Sequence, residues 1–183
     1  MGGCIFPPIA IINMKIYKDC ISDVLFRECI EKVKEDAVIQ KWASSTICWP
    51  PEIKKNITGS CLFREVDENL SNKLRDELKS YFPEHKKLIF QFYIWQNDAG
   101  ISIHDDTKYK FGATLYLNTE WHVNWGGLFV WYNSLEDSRE GIAQCLAPRG
   151  KTLVVNDEKQ LHLVTPVSST SPELRVTIQI WGT

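Results

Sequence analysis

The chain has 183 residues, of which 44% are hydrophobic and 24% charged, proportions that are ordinary for a folded protein. They exclude a disordered tail, a coiled coil and a collagen-like rod, and because no run of about 18 apolar residues is present we expect no membrane span. The formal net charge is −2 and basic residues do not cluster, so we expect no nucleic-acid partner.

The six cysteines are widely spaced and include no CxxC pair. In a chain long enough to have its own core, this spacing predicts free thiols rather than disulfides. The N-terminal residues do not have the basic segment, apolar run and cleavage site of a signal peptide. We therefore expect a cytoplasmic protein.

The first half of the chain is predicted to be largely helical. Apolar residues recur at helical spacing from Ser22, a suitable N-cap, to Ala37, and again from Leu70 to Phe82. Neither helix carries a cluster of chemically reactive side chains. We interpret residues 15–82 as a support that braces the rest of the protein.

The second half changes to short runs rich in β-branched and aromatic residues, separated by turn-forming residues. In the last run, side chains alternate between two faces, with Arg175, Thr177 and Gln179 on one of them. Such strands after flanking helices predict a mainly β fold, with a sheet closed or folded over on itself and α-helices beside it. The predicted strands are 88–95, 111–118, 127–132, 152–156, 162–166 and 174–181.

The segment His104-Asp105-Asp106 has the most distinctive chemistry in the sequence. Residues two apart in extended backbone point to the same side, so the His104 imidazole and the Asp106 carboxylate can reach a common point. A second imidazole, His162, opens a later predicted strand. Two histidines and one carboxylate are the ligand set of non-haem Fe(II) oxygenases, in which open metal positions take a chelating cosubstrate and O2.

Three stretches of the sequence together resemble the prolyl-hydroxylase-like branch of the Fe(II)/2-oxoglutarate-dependent dioxygenases. They are WQNDAGISIHDDTKYKFGATLYLNTEWHVNWGGLFVWY, APRGKTLVVNDEKQLHLVTPV and ELRVTIQIWGT. The resemblance implies a double-stranded β-helix (jelly-roll) core over about residues 88–183, within one dioxygenase domain, residues 1–183. It also implies Fe(II) as the metal, 2-oxoglutarate and O2 as cosubstrates, and ascorbate as a candidate reductant.

The resemblance also assigns roles to individual residues. Arg175 matches the arginine that pairs with the distal carboxylate of 2-oxoglutarate, a role that suits a planar guanidinium. Tyr116 matches a tyrosine that bonds to the same carboxylate, and Thr177 is on the same strand face as Arg175 and can add a hydroxyl donor. The iron ligands are matched by His104, Asp106 and His162.

The interval of thirteen residues between His162 and Arg175 is longer than this branch leads us to expect. We interpret Ser168 to Pro172 as a polar turn that absorbs the extra length. Lys151 is the nearest alternative cation, and we expect it at the surface. Trp95 matches an aromatic residue near the cosubstrate.

The remaining histidines and Asp105 are assigned no catalytic role. His85 follows a helix and is expected at the surface, and His122 is expected in a loop, either structural or exposed. Asp105 stands between two predicted ligands and is expected to point away from the metal.

The resemblance implies hydroxylation of an unactivated C–H bond while 2-oxoglutarate is converted to succinate and CO2. A peptidyl or protein residue is the first hypothesis for the substrate, with proline foremost. A free amino acid or a small natural product is the alternative. The Asp106 carboxylate argues against halogenation, since halogenating relatives replace it with a small residue.

Three other functions are compared with this hypothesis. Demethylation of nucleic acids is not expected, because Trp181 stands where demethylating relatives have a second arginine. A non-catalytic metal-binding sensor on the same scaffold and a Zn(II) hydrolase with the same three ligands remain open. The sequence does not indicate an oligomeric state.

Overall fold

Two antiparallel β-sheets dominate the structure, a computed structural model that describes residues 14–38, 42–44, 55, 57–82, 87–106, 109–157 and 160–182. The strands are β1 (Lys15–Tyr17), β2 (Ala43–Ser44), β3 (Ile57–Thr58), β4 (Cys61–Glu65), β5 (Leu88–Trp95), β6 (Gly100–His104), β7 (Phe111–Tyr116), β8 (Phe129–Trp131), β9 (Gln144–Leu146), β10 (Leu153–Asp157), β11 (His162–Val164) and β12 (Arg175–Gly182). The helices are α1 (Asp23–Val38), α2 (Glu68–Leu78) and α3 (Leu135–Glu140). None of the helices in these ranges is long and apolar enough to cross a membrane.

The larger sheet has seven strands in the order β1-β10-β7-β12-β5-β4-β2, and the smaller sheet has five in the order β3-β6-β11-β8-β9. Consecutive strands in the chain therefore often belong to different sheets, as when β6 in the smaller sheet is followed by β7 in the larger one. A mainly β fold with two such sheets confirms the predicted fold class.

The two predicted helices are present, with small differences at their ends. Ser22 Oγ accepts a hydrogen bond from the Leu25 amide at the start of α1, at 3.2 Å, as expected of an N-cap. Asp67 caps α2 in the same way, and this helix ends at Leu78, where a 3₁₀ turn replaces its predicted last residues.

Residues 15–82 differ from the predicted helical support, because four short strands lie among the helices. β1 pairs with β10 and β4 pairs with β5, so both extend the larger sheet, while β3 extends the smaller one. Such segments of two to five residues are held by backbone pairing with a neighbour. They are too short to show a clear alternation of apolar and polar residues.

Each face of the larger sheet packs against a different layer. Its outer face packs on α1 and α2, where Leu70, Leu74 and Leu78 recur every four residues and are 2% exposed or less. Each buried leucine stabilises the fold by roughly 1.5–3 kcal/mol. The inner face packs against the smaller sheet, and the second apolar cluster, which includes Trp95 and Phe129, lies between the sheets.

Candidate active site

β6 and β11 bring the two predicted histidine ligands together. His104 and His162 are direct partners in the antiparallel register, and their ring centroids lie 4.3 Å apart. The chain leaves β6 just after His104 and places Asp106 Oδ2 3.5 Å from His162 Nε2. One donor atom from each of the three residues lies within 4.8 Å of the others.

Backbone carbonyl groups fix the orientation of both imidazole rings. His104 Nδ1 lies 2.8 Å from the Ser102 carbonyl oxygen, and His162 Nδ1 lies 2.7 Å from the Gln160 carbonyl oxygen. Since a carbonyl only accepts, each Nδ1–H donates, which leaves each Nε2 as the ring atom available to a metal. Burial and the neighbouring His162 ring lower the pKa of His104 to about 4, so this ring is neutral at physiological pH.

The chemistry of the three side chains fits a divalent transition metal. Asp106 and His162 are only 5% and 4% exposed, and among the described residues no lysine or arginine pairs with Asp106. A buried carboxylate without a cation is costly. An ion bound by two imidazoles and one carboxylate would supply the missing positive charge.

Arg175 is buried on the inner face of the larger sheet, and none of the acidic residues that the structure describes pairs with it. Its side chain is 1% exposed, Nε donates to the Gly127 carbonyl oxygen at 2.8 Å, and Cζ lies 5.5 Å from the Trp95 ring and 5.3 Å from the Tyr116 ring. Within the described part of the chain it makes no ion pair. Burial lowers the pKa of Arg175, and the nearby tyrosine opposes that effect. A buried guanidinium in this setting fits an anionic ligand.

Tyr116 and Thr177 lie beside this guanidinium on neighbouring strands. They are direct partners in the pairing of β7 with β12 and are 0% and 1% exposed. Burial raises the pKa of the Tyr116 hydroxyl, and the Arg175 charge acts in the opposite direction. Thr177 Oγ1 has no hydrogen-bond partner among the described residues, so its hydroxyl can bind a ligand.

A double glycine allows the chain to approach Arg175 closely. Gly126 and Gly127 have φ angles of 65° and 59°, a conformation that side chains disfavour. A Cβ atom on Gly127 would also lie 2.9 Å from Arg175 Cδ. Glycine at this position therefore lets the backbone carbonyl reach the guanidinium.

Neutral polar side chains line the inner face of the larger sheet. Thr114 Oγ1 donates to Gln179 Oε1 at 3.0 Å. Gln91 Oε1 accepts from Tyr93 Oη and from Trp181 Nε1, each at 3.3 Å. These residues alternate with the buried apolar ones and share the face of Arg175.

None of the other described residues singled out in the sequence is one of the clustered donors. Lys151 Nζ pairs with Asp19 at 3.2 Å and Asp23 at 2.8 Å, so the charge of this lysine is engaged away from the three donors.

His122 is exposed and its Nδ1 accepts from the Asn124 amide. Asp105 is not one of the three clustered donors, and His85 lies outside the described residues.

The segment 168–172 forms the predicted polar turn, in which the Ser171 amide donates to the Ser168 carbonyl oxygen at 3.0 Å.

Sequence reasoning missed two residues that contact the site. Asn156 Nδ2 donates to Asp106 Oδ2 at 2.8 Å, and Gln160, 0% exposed, holds the start of β11 by donating to the Tyr132 carbonyl oxygen at 3.2 Å. The available signal for Asn156 was its position in the apolar run LVVND, since asparagine is depleted from strands. Gln160 gave no comparable signal.

The family follows from the sequence of the second half of the chain. Residues 88–183 match the 2OG-Fe(II) oxygenase superfamily. The chain belongs to this superfamily and is an enzyme of the 2-oxoglutarate-dependent, non-haem Fe(II) class, whose cofactor and cosubstrate are Fe(II) and 2-oxoglutarate. No curated protein sequence matches the chain at a significant level.

Several solved structures share the jelly-roll fold. A prolyl-4-hydroxylase from Pseudomonas putida is 17% identical, with a TM-score of 0.69 and coverage of 94% of this chain and 93% of that one. A Trichoplax adhaerens prolyl hydroxylase in complex with a hypoxia-inducible-factor peptide is 14% identical, with a TM-score of 0.68 and coverage of 92% and 82%. HygX from Streptomyces hygroscopicus, with nickel, 2-oxoglutarate and hygromycin B bound, is 10% identical, with a TM-score of 0.62 and coverage of 94% and 84%. At these identities the likeness supports the fold alone.

Proposed function

We propose that the protein is a hydroxylase that acts on a peptidyl or protein residue, with proline the first candidate. The observation that carries the proposal is the convergence of His104, Asp106 and His162 on one point, opposite a larger sheet whose inner face buries Arg175. A metal site together with a buried cation for the second carboxylate is what a chelating dicarboxylate cosubstrate needs. We further propose that residues 1–183 act as one catalytic domain.

Each of the three donors has a defined role in this proposal. His104 and His162 present their Nε2 atoms to the metal, because their Nδ1–H groups are engaged by backbone carbonyl groups. Asp106 contributes the single negative charge. When bound, Fe(II) and 2-oxoglutarate supply the oxidising chemistry, in which O2 is consumed, 2-oxoglutarate becomes succinate and CO2, and a substrate C–H becomes C–OH.

Arg175, Tyr116 and Thr177 bind the distal carboxylate of 2-oxoglutarate in this proposal. The guanidinium offers two parallel N–H donors to a carboxylate, and the Gly127 carbonyl fixes its orientation through Nε. The Thr177 hydroxyl supplies a further donor. The rings of Trp95 and Tyr116 exclude water from the guanidinium, which strengthens its attraction for an anion.

The neutral polar side chains on the inner face of the larger sheet favour an uncharged substrate. Gln91, Thr114 and Gln179 offer hydrogen-bonding groups without charge, which suit the amide groups of a peptide. The likeness to a prolyl hydroxylase with a bound peptide agrees with this choice. The alternative is a free amino acid or a small natural product, as the likeness to the hygromycin-bound HygX illustrates.

The test is turnover by the purified protein with Fe(II), 2-oxoglutarate and ascorbate. We expect succinate release, together with a gain of 16 Da on a peptide in a mass-spectrometric screen of peptides and free amino acids. The variants His104→Ala and Asp106→Ala should give neither product. Binding of metal and 2-oxoglutarate without any succinate would contradict the proposal and indicate a sensor, and Zn(II)-dependent hydrolysis would indicate a hydrolase.

We also propose a reducing, cytoplasmic location. It is supported by the free thiols of Cys20 and Cys29, both of them buried, since proteins of oxidising compartments usually pair their cysteines. Fractionation of cells that express the tagged protein tests this location, and recovery from a secreted or membrane fraction would contradict it.

A further inference from the structure

We propose that Asn156 is a positioning residue for the metal centre, whose carboxamide holds the Asp106 carboxylate in the orientation that faces the two imidazoles. The inference rests on the proposed function, since it takes the three clustered donors to be metal ligands. The role of Asn156 is inferred from its contacts.

Asp106 needs such a partner because it lies outside the strands. β6 ends at His104, so sheet hydrogen bonds fix the backbone of that histidine but not the carboxylate two residues later. Asn156 lies in β10, which pairs with β1 through residues 153–155 and with β7 along its whole length, Asn156 included. Its Nδ2 donates to Asp106 Oδ2 at 2.8 Å, and the two residues are 1% and 5% exposed. A rigid strand therefore fixes the rotation of a carboxylate on a loop.

Gly112 provides the space for this contact. It is the direct partner of Asn156 in the pairing of β7 with β10. A Cβ atom on Gly112 would lie 2.6 Å from Asp106 Oδ2 and 3.1 Å from Asn156 Nδ2. The Asp106 carboxylate thus lies over Gly112, where the absence of a side chain lets it reach the Asn156 amide.

The choice of a neutral amide suits a metal ligand. A lysine or arginine at this position would orient the carboxylate but would also compete with the metal for its charge. An amide N–H orients one oxygen and leaves the full negative charge available. Asn156 thereby orients the Asp106 carboxylate without neutralising its negative charge.

The test is Co(II) affinity of the metal-free full chain, measured by anaerobic titration and visible absorption. Asn156→Leu removes the donor and keeps the number and branching of the side chain's heavy atoms, and Asn156→Val removes it with a smaller residue that favours strands. Both variants should bind Co(II) about 10- to 100-fold more weakly than the wild type. Gly112→Ala should weaken binding in the same direction, because it displaces the carboxylate while the amide remains.

Asn118→Leu is the matched control. Asn118 is also a buried asparagine with two hydrogen bonds, both 2.8 Å, to the Leu174 carbonyl oxygen and the Val176 amide. Its loss should lower the melting temperature and leave Co(II) affinity unchanged.

The outcomes separate the two proposals. Wild-type affinity in both Asn156 variants, or an equal loss in Asn118→Leu, would overturn the role of Asn156 alone. A wild-type protein that fails to bind Co(II), or whose binding survives His162→Ala, would overturn the proposed function itself.

Discussion

His104 and His162 face each other across a single pair of antiparallel strands, although 58 positions separate them in the chain. Each ring donates its Nδ1–H to the backbone carbonyl two residues before it. The symmetry of these contacts means that both Nε2 atoms are directed to one place by backbone geometry. The arrangement leads to the first prediction.

Replacement of His162 by alanine should reduce succinate formation by more than about 100-fold. The loss of a residue that only hydrogen-bonds to a metal ligand typically lowers activity by about 10- to 100-fold, and the loss of the ligand itself should lower it further. The measurement is succinate release with Fe(II) in excess. His122→Ala is the control, since this exposed ring only caps a short turn. Comparable losses in both variants would show that histidine removal acts through folding.

Arg175→Lys should raise the Kd for 2-oxoglutarate about 10- to 100-fold, since a lysine keeps the charge but cannot make the paired contacts of a guanidinium, each worth roughly 1.5–3 kcal/mol. Calorimetric titration with the Mn(II)-loaded protein measures the change, and Mn(II) affinity itself should stay the same.

Lys151→Met serves as the control for Arg175. This lysine pairs with Asp19 and Asp23, so its removal should leave the Kd for 2-oxoglutarate unchanged. If Lys151→Met weakens 2-oxoglutarate binding and Arg175→Lys does not, the anion site has been assigned to the wrong cation.

The sequence predicted those features that depend on local periodicity. α1 and α2 were recognisable from apolar residues at helical spacing, and the alternation in β12 put Arg175 and Thr177 on one face. Long-range register has no such local signal. β6 and β11 carry no sequence pattern that indicates their pairing. Only the family resemblance therefore predicted that the two histidines lie close together.

The short strands of the N-terminal half escaped prediction for a related physical reason. β2 has two residues and β1 has three, and their stability comes from the strands beside them. The contact of Asn156 with Asp106 likewise joins residues 50 positions apart, and only the fold brings them together.

Cys20 and Cys29 should resist alkylation in the native protein at pH 8. Burial raises the pKa of each thiol to about 12, so only a minute fraction is the reactive thiolate. The exposed Cys145 should react readily. Mass spectrometry of iodoacetamide-labelled peptides measures all three, and equal labelling before and after denaturation would contradict the burial of the first two.

Leu74→Ala should lower the free energy of unfolding by about 2–5 kcal/mol, because it leaves a cavity between α2 and the larger sheet. Leu74 is fully buried, whereas Val24 on α1 is 68% exposed. Val24→Ala is therefore the control and should change stability by no more than about 0.5 kcal/mol. Urea denaturation followed by circular dichroism gives both values.

The donor set also has a consequence for the architecture as a whole. The imidazoles belong to the smaller sheet, whereas the carboxylate lies against Asn156 and Gly112 of the larger one. An ion held by all three would act as a removable cross-link between the layers of the sandwich. The bound metal would then stabilise the packing of the smaller sheet on the larger one. Removal of the metal by a chelator should speed amide hydrogen exchange in β6 and β11 before it affects the helices.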